Sequence, residues 1–149
     1  MEYSKVKKSI NKEYSMGVKT EREILKILND KKTKVFKMTS QYHTFDYVDE
    51  DELIYVELKS RRCTSRTFNT SIISDHKIQV AKKLKKEDKN HKIYFIFKFL
   101  DCIKCIKYNR KLFKTFNSKD ITRRDRNVTA LHIEIPVELM DNLEDVDKF

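Results

Sequence analysis

The chain has 149 residues, of which 39% are hydrophobic and 38% charged, enough for one core of ordinary domain size. No stretch reaches the ~20 apolar residues of a membrane span and no apolar signal region follows Met1, so the sequence reads as intracellular (cytoplasm or nucleus), not secreted and with no membrane partner. The net charge is +10, and because the last twelve residues carry five acids and one base, the first 137 carry +14, a field that favours a polyanion, nucleic acid before an acidic membrane surface.

In chain order, residues 10–29 are predicted as a first helix, with Tyr14, Val18, Ile24, Leu25 and Leu28 at helical spacing. "KVFKMT" (34–39) reads as a strand. "TFDYV" and "ELIYVELKS" read as a hairpin around Glu50-Asp51, followed by a polar loop, Arg61 to Ser71. Ser74 is placed as the N-cap of a second helix, 75–88, with Ile73 and Ile78 as a hydrophobic staple. "KIYFIFKF" (92–99) is nearly continuous apolar, as a strand covered on both faces should be. "DCIKCIKY" alternates beside it, which sends Cys102 and Cys105 to opposite faces and argues against a zinc site. Residues 109–127 read as basic and irregular, 131–139 as a short strand, and 140–149 as a mobile acidic tail. The expected organisation is a single domain over 1–149, with a core over about 10–108, a basic extension over 109–139 and the tail. The fold class is α/β, a central mixed sheet flanked by helices.

Strand parity draws out candidate residues. Leu53, Tyr55, Glu57 and Lys59 share one face of the second hairpin strand. A two-residue turn at Glu50-Asp51 would pair Asp46 with Tyr55, leaving Asp46 a diagonal neighbour of Glu57, roughly 5–8 Å away at Cβ. Two carboxylates this close repel unless a cation lies between them, and hard divalent cations prefer oxygen ligands. A solvated face neutralised by Lys59 is the plainer alternative.

Both helices add a residue. Glu21 falls in the middle of the first helix's apolar stripe, where an unpaired carboxylate is costly. A helix capped at Thr20 would instead leave Glu21 exposed. Lys77 lies among Ile73, Val80, Ala81 and Leu84, either facing the sheet or laying its stem on the core and snorkelling outward.

Asp46 followed by Glu57-Leu58-Lys59 resembles the D…(D/E)xK signature of the PD-(D/E)XK nuclease superfamily, with Phe45 where proline often stands. Gly17-Val-Lys-Thr-Glu21 is similar to the GxxxE of archaeal-type Holliday-junction resolvases. The likeness covers residues 15–108. It implies a restriction-endonuclease-like fold with an αβββαβ core, and a Mg²⁺-dependent deoxyribonuclease (Mn²⁺ as substitute), with branched DNA as a candidate substrate. Asp46, Glu57 and the Leu58 carbonyl would ligate the metal, Glu21 would join directly or through water, and Lys59 would orient the attacking water. Lys77 would lie by the carboxylates or the bound phosphate. Arg61, Arg62 and Arg66 follow the site directly and could hold phosphates of the nucleic acid. The alternatives are a catalytically silent nucleic-acid-binding module on the same fold and an RNA-directed nuclease, and a homodimer is left open.

Overall fold

The computed structural model describes residues 17–30, 35–123 and 127–149. Helix α1 spans 17–30 within that range; Tyr14 and the expected helical residues 10–16 lie outside it. Strands β1 (Phe36–Met38), β2 (Tyr47–Asp49) and β3 (Ile54–Ser60) follow, then β4 (Thr70–Ser74), α2 (Asp75–Glu87), β5 (Lys92–Lys98) and β6 (Ile103–Lys107). Short helix α3 (Arg110–Phe113), β7 (Ser118–Arg123), β8 (Val128–Pro136) and β9 (Asp141–Asn142) complete the order. The main sheet runs β1-β2-β3-β5-β6-β9, and a second, antiparallel sheet runs β4-β8-β7. The fold is α/β with a mixed sheet between helices, consistent with a restriction-endonuclease-like fold. No helix among the described residues is long and apolar enough to cross a membrane.

The β3–α2–β5 unit is the frame. β3 and β5 pair in parallel, from Ile54 opposite Lys92 to Ser60 opposite Lys98, so the chain must cross over, and α2 is the crossover. Both faces of β3 and β5 are therefore covered. Val56, Leu58, Tyr94 and Ile96 pack with Ile24 and Leu28 of α1. Ile93, Phe95 and Phe97 pack with Ile78 and Ala81 of α2 and with Ile73 and Ile135 of the second sheet. Ser74 precedes α2 as expected, but its side chain makes no capping bond; the buried Ile73 and Ile78 hold that end.

Four expectations change. The β2–β3 register pairs Val48 with Tyr55, two residues away from the two-residue-turn prediction. The cause is Asp49: its buried Oδ1 accepts from Leu53 N (2.8 Å) and Ile54 N (2.9 Å), closing a longer loop with Glu52 in the left-handed region at φ 55°. A two-residue shift preserves face parity. Thr70–Ser74, which takes in the last two residues of the expected loop, is a strand whose partner is the distant β8. Residues 109–127 contain α3 and β7 rather than irregular chain. The acidic tail is packed among the described residues: β9 pairs with β6, Leu143 is buried, and the Phe149 ring stacks on Tyr94 at 3.9 Å.

Candidate active site

Asp46 sits at a bend immediately before β2. Its N–H donates to the Val56 carbonyl at 3.0 Å. Two residues further along β3, Leu58 N–H donates to Asp46 Oδ2 at 2.8 Å. That bond fixes the carboxylate against β3. In the parallel β3–β5 ladder the odd residues of β3 bond towards β5, so the Leu58 carbonyl points to the Asp46 side.

Glu57, the next residue on the α2 face, is nearly inaccessible, with 4% of its side chain exposed. Lys59 Nζ lies 3.4 Å from Oε1 and Lys77 Nζ 3.3 Å from Oε2. Lys77 also donates to the Thr44 carbonyl, and its ammonium lies 5.8 Å over the Phe45 ring. These contacts hold it inward between loop and strand, while Gln79 of the same helix is exposed. Burial raises the Glu57 pKa above its ordinary 4.5, Asp46 raises it further, and Lys59 and Lys77 pull it back. Oε2 is buried without an aligned hydrogen bond, despite the ion pair.

Glu21 lies on the sheet-facing side of α1, half-buried, one turn before Ile24. The helix is already running at residue 17, so Thr20 is not its cap. Its pKa is raised, first by burial and then by Asp46, which puts the two carboxylates in each other's field. Tyr47 fixes this approach: its buried hydroxyl donates to the Glu21 carbonyl oxygen at 2.6 Å, and burial followed by the charges of Asp46, Glu21 and Glu57 raises its pKa strongly. Sequence reasoning missed Tyr47 because its side chain points to the α1 face, away from Asp46. The parity of β2 was the available signal.

The structure thus gathers Asp46, Glu57, Lys59 and Lys77, with Glu21 at the rim. Among the described residues, no three carboxylate, histidine or cysteine side chains come close enough to hold a metal. Two carboxylates and a main-chain carbonyl suffice for Mg²⁺, which keeps several waters and takes its remaining ligands from phosphates. The donor chemistry fits: all oxygen, one carboxylate fixed by a main-chain N–H, and a second with a buried oxygen that lacks an aligned donor.

The arginines divide. Arg61 turns inward. Its Nε donates to Ser71 Oγ (3.1 Å), its Nη2 to the Ile72 carbonyl (2.7 Å), and it lies 5.9 Å from the Phe97 ring centroid. Burial lowers its pKa. It ties the end of β3 to β4 and does not reach outward as expected. Arg62 and Arg66 are exposed in the loop beyond it.

A family model described as "Phage putative PDDEXK endonuclease" matches residues 10–143. The chain therefore belongs to this PD-(D/E)XK nuclease family. No curated protein matches it.

Proposed function

We propose that this family member is a metal-dependent endonuclease that hydrolyses phosphodiester bonds in DNA. One observation carries the reading: Asp46 and Glu57 meet at the middle of β3, the first locked by Leu58 N–H and the second flanked by two ammonium groups. Asp46, Glu57 and the Leu58 carbonyl would hold Mg²⁺, or Mn²⁺ in its place, with Glu21 reaching it through water. When bound, the ion supplies Lewis acidity at the phosphoryl oxygen and lowers the pKa of a water.

The protein's own groups take the remaining tasks. Lys77, held by Thr44 and the Phe45 ring, keeps Glu57 ionised against the cost of burial. Lys59 is more exposed than Lys77, at 34% against 20% of the side chain. It can leave Glu57 for the scissile phosphate, orient the attacking water and offset charge on the phosphoryl oxygens. Tyr47 holds the Glu21 segment of α1 at the sheet. Arg62 and Arg66 would position the backbone of the substrate. A silent binding module would have no use for the complete Asp46, Glu57 and Lys59 set.

The test is a gel assay on circular, linear, single-stranded and four-way-junction DNA, with and without Mg²⁺. Cleavage that EDTA stops, and that Asp46→Ala and Glu57→Ala each abolish while DNA binding persists, is the expected result. Unchanged cleavage by both variants would sink the reading at these residues.

A further inference from the structure

The flank of α2 that faces away from the active site carries a second basic feature. Lys77, in the first turn, points to Glu57. Lys86 follows nine residues later, which at 100° and 1.5 Å per residue puts it about half a turn round the axis and about 14 Å further along. Gln79, Lys82 and Lys83 stand within about 60° of the Lys86 direction. With Tyr108, just after β6, and Arg110 of α3 they line a cleft of about 530 Å³.

The fold leaves two properties of this cleft without a structural use. The first is its charge. The helix dipole favours Lys85 and Lys86 in the last turn, but it does not call for Lys82, Lys83 or Arg110. Among the described residues none of Lys82, Lys83, Lys86 or Arg110 makes an ion pair. The neighbouring acids do not neutralise them: Asp75 accepts from Gln79 at 3.3 Å, Asp88 accepts from Asn90 N–H at 2.8 Å, and Glu87 stands alone a turn beyond Lys83. Lys85 continues the positive surface to Lys89, Lys92 and Lys107, where the acids are buried Asp49 and the chain terminus at Phe149. Burial, then the charges of Lys92 and Lys85, lower the Lys107 pKa. The second property is the Tyr108 hydroxyl. The residue is 4% exposed, its ring lies edge-on to Phe113 at 5.0 Å, and its hydroxyl is buried with no hydrogen-bond partner. A buried donor without an acceptor is costly and rare.

Chemistry selects the occupant. None of the large exposed hydrophobic side chains lies on α2, at the end of β6 or on α3, so this face lacks the apolar anchors of a membrane-bound helix or of a protein interface core. Ammonium groups on flexible stems suit the phosphates of a nucleic-acid backbone, and a phosphate oxygen would supply the acceptor that Tyr108 lacks.

We propose that the cleft between α2 and the β6–α3 connection binds the backbone of a second DNA segment, apart from the one held at Asp46 and Glu57. This rests on the nuclease reading and adds to it that one chain engages DNA at two places, on opposite flanks of α2.

The test titrates the full chain in EDTA with a duplex of about one helical turn, reading stoichiometry by sedimentation and affinity by anisotropy. Wild type should take two duplexes per chain. Lys83→Gln, Lys86→Gln and Arg110→Gln together should weaken the second event about tenfold or more and make its salt slope shallower by about three. The same neutralisation at the exposed Arg22, Lys26 and Lys37 of α1 and β1 should leave it within about twofold. Tyr108→Phe removes a hydroxyl that nothing in the fold pairs, so it should hold or raise the melting temperature while weakening the second event about threefold or more. Second-event affinity retained by either the triple variant or Tyr108→Phe, or lost equally in the control, overturns the proposal. So does a chain that takes one duplex but binds polyglutamate through the three substituted cations, a result that points to an acidic protein instead. Wild type that takes one duplex and cleaves it in Mg²⁺ overturns the second site and leaves the nuclease reading standing; wild type that binds no DNA removes both.

Discussion

Lys77→Met removes the counter-charge of a buried carboxylate and keeps the length of its stem. At 3.3 Å and an effective dielectric of about 20, the pair's Coulomb attraction is ~5 kcal/mol before desolvation is subtracted. Breaking a buried pair from one side typically costs about 3–5 kcal/mol. Lys59 remains on the other oxygen at 3.4 Å, so the net loss should be smaller, about 1–3 kcal/mol, or about 3–10 °C in Tm for a chain of this length. The pH dependence has a definite sign. A carboxyl whose folded pKa is raised binds its proton more tightly in the folded state, so its contribution to stability falls as pH rises through that value. Without Lys77 the Glu57 value rises further. The gap between wild type and variant should therefore be wide at pH 7 and close as pH falls towards the ordinary carboxylate value of 4.5. Calorimetric melts at pH 7 and at mildly acidic pH measure it. Adding Glu57→Gln to the variant should recover about 1–2 kcal/mol, the coupling between the two side chains. Equal Tm values at pH 7, or a gap that widens on acidification, would refute the assignment of Lys77 as the partner of Glu57.

Arg61→Ala should lower stability by about 2–3 kcal/mol, through two lost charge-assisted hydrogen bonds to β4, and leave the salt dependence of DNA binding unchanged; a shallower salt slope would return Arg61 to the phosphate-binding group. Tyr47→Phe should cost about 1 kcal/mol and slow cleavage with Asp46 and Glu57 intact, since the Glu21 carbonyl loses its donor; single-turnover kinetics beside a melt separates the two effects. Glu21→Gln should reduce the rate with no loss of stability, because it removes a carboxylate that burial and Asp46 already disfavour; a rate equal to wild type in single turnover would take Glu21 out of the site. Phe149→Ala should destabilise by about 3 kcal/mol, measured by denaturant unfolding, because its ring is buried between Phe36 and Tyr94.

Local alternation and continuous apolarity were enough to recover the β3–α2–β5 frame from sequence. Tyr55, Glu57 and Lys59 must share a face whichever strands flank β3, and the run at 92–99 is too apolar for a one-sided strand. The same parity brought Asp46 to that face, and it survived an error of two residues in register because such a slip flips no side chain. Other features are decided at long range. The register is set by Asp49 capping the loop of its own hairpin, a choice between loop lengths that Glu50-Asp51 alone does not signal. Arg61 reads as a phosphate ligand beside the site until β4 is seen to supply Ser71 and Ile72 to its guanidinium. β4 itself is invisible without β8, sixty residues away, and the tail reads as mobile because nothing in its acidic composition announces that Leu143 and Phe149 close the core against α1 and β5. A short stretch carries its own periodicity, and so the faces of its side chains; which partner covers each face is fixed only when distant segments compete for the same apolar surface and hydrogen-bonding groups.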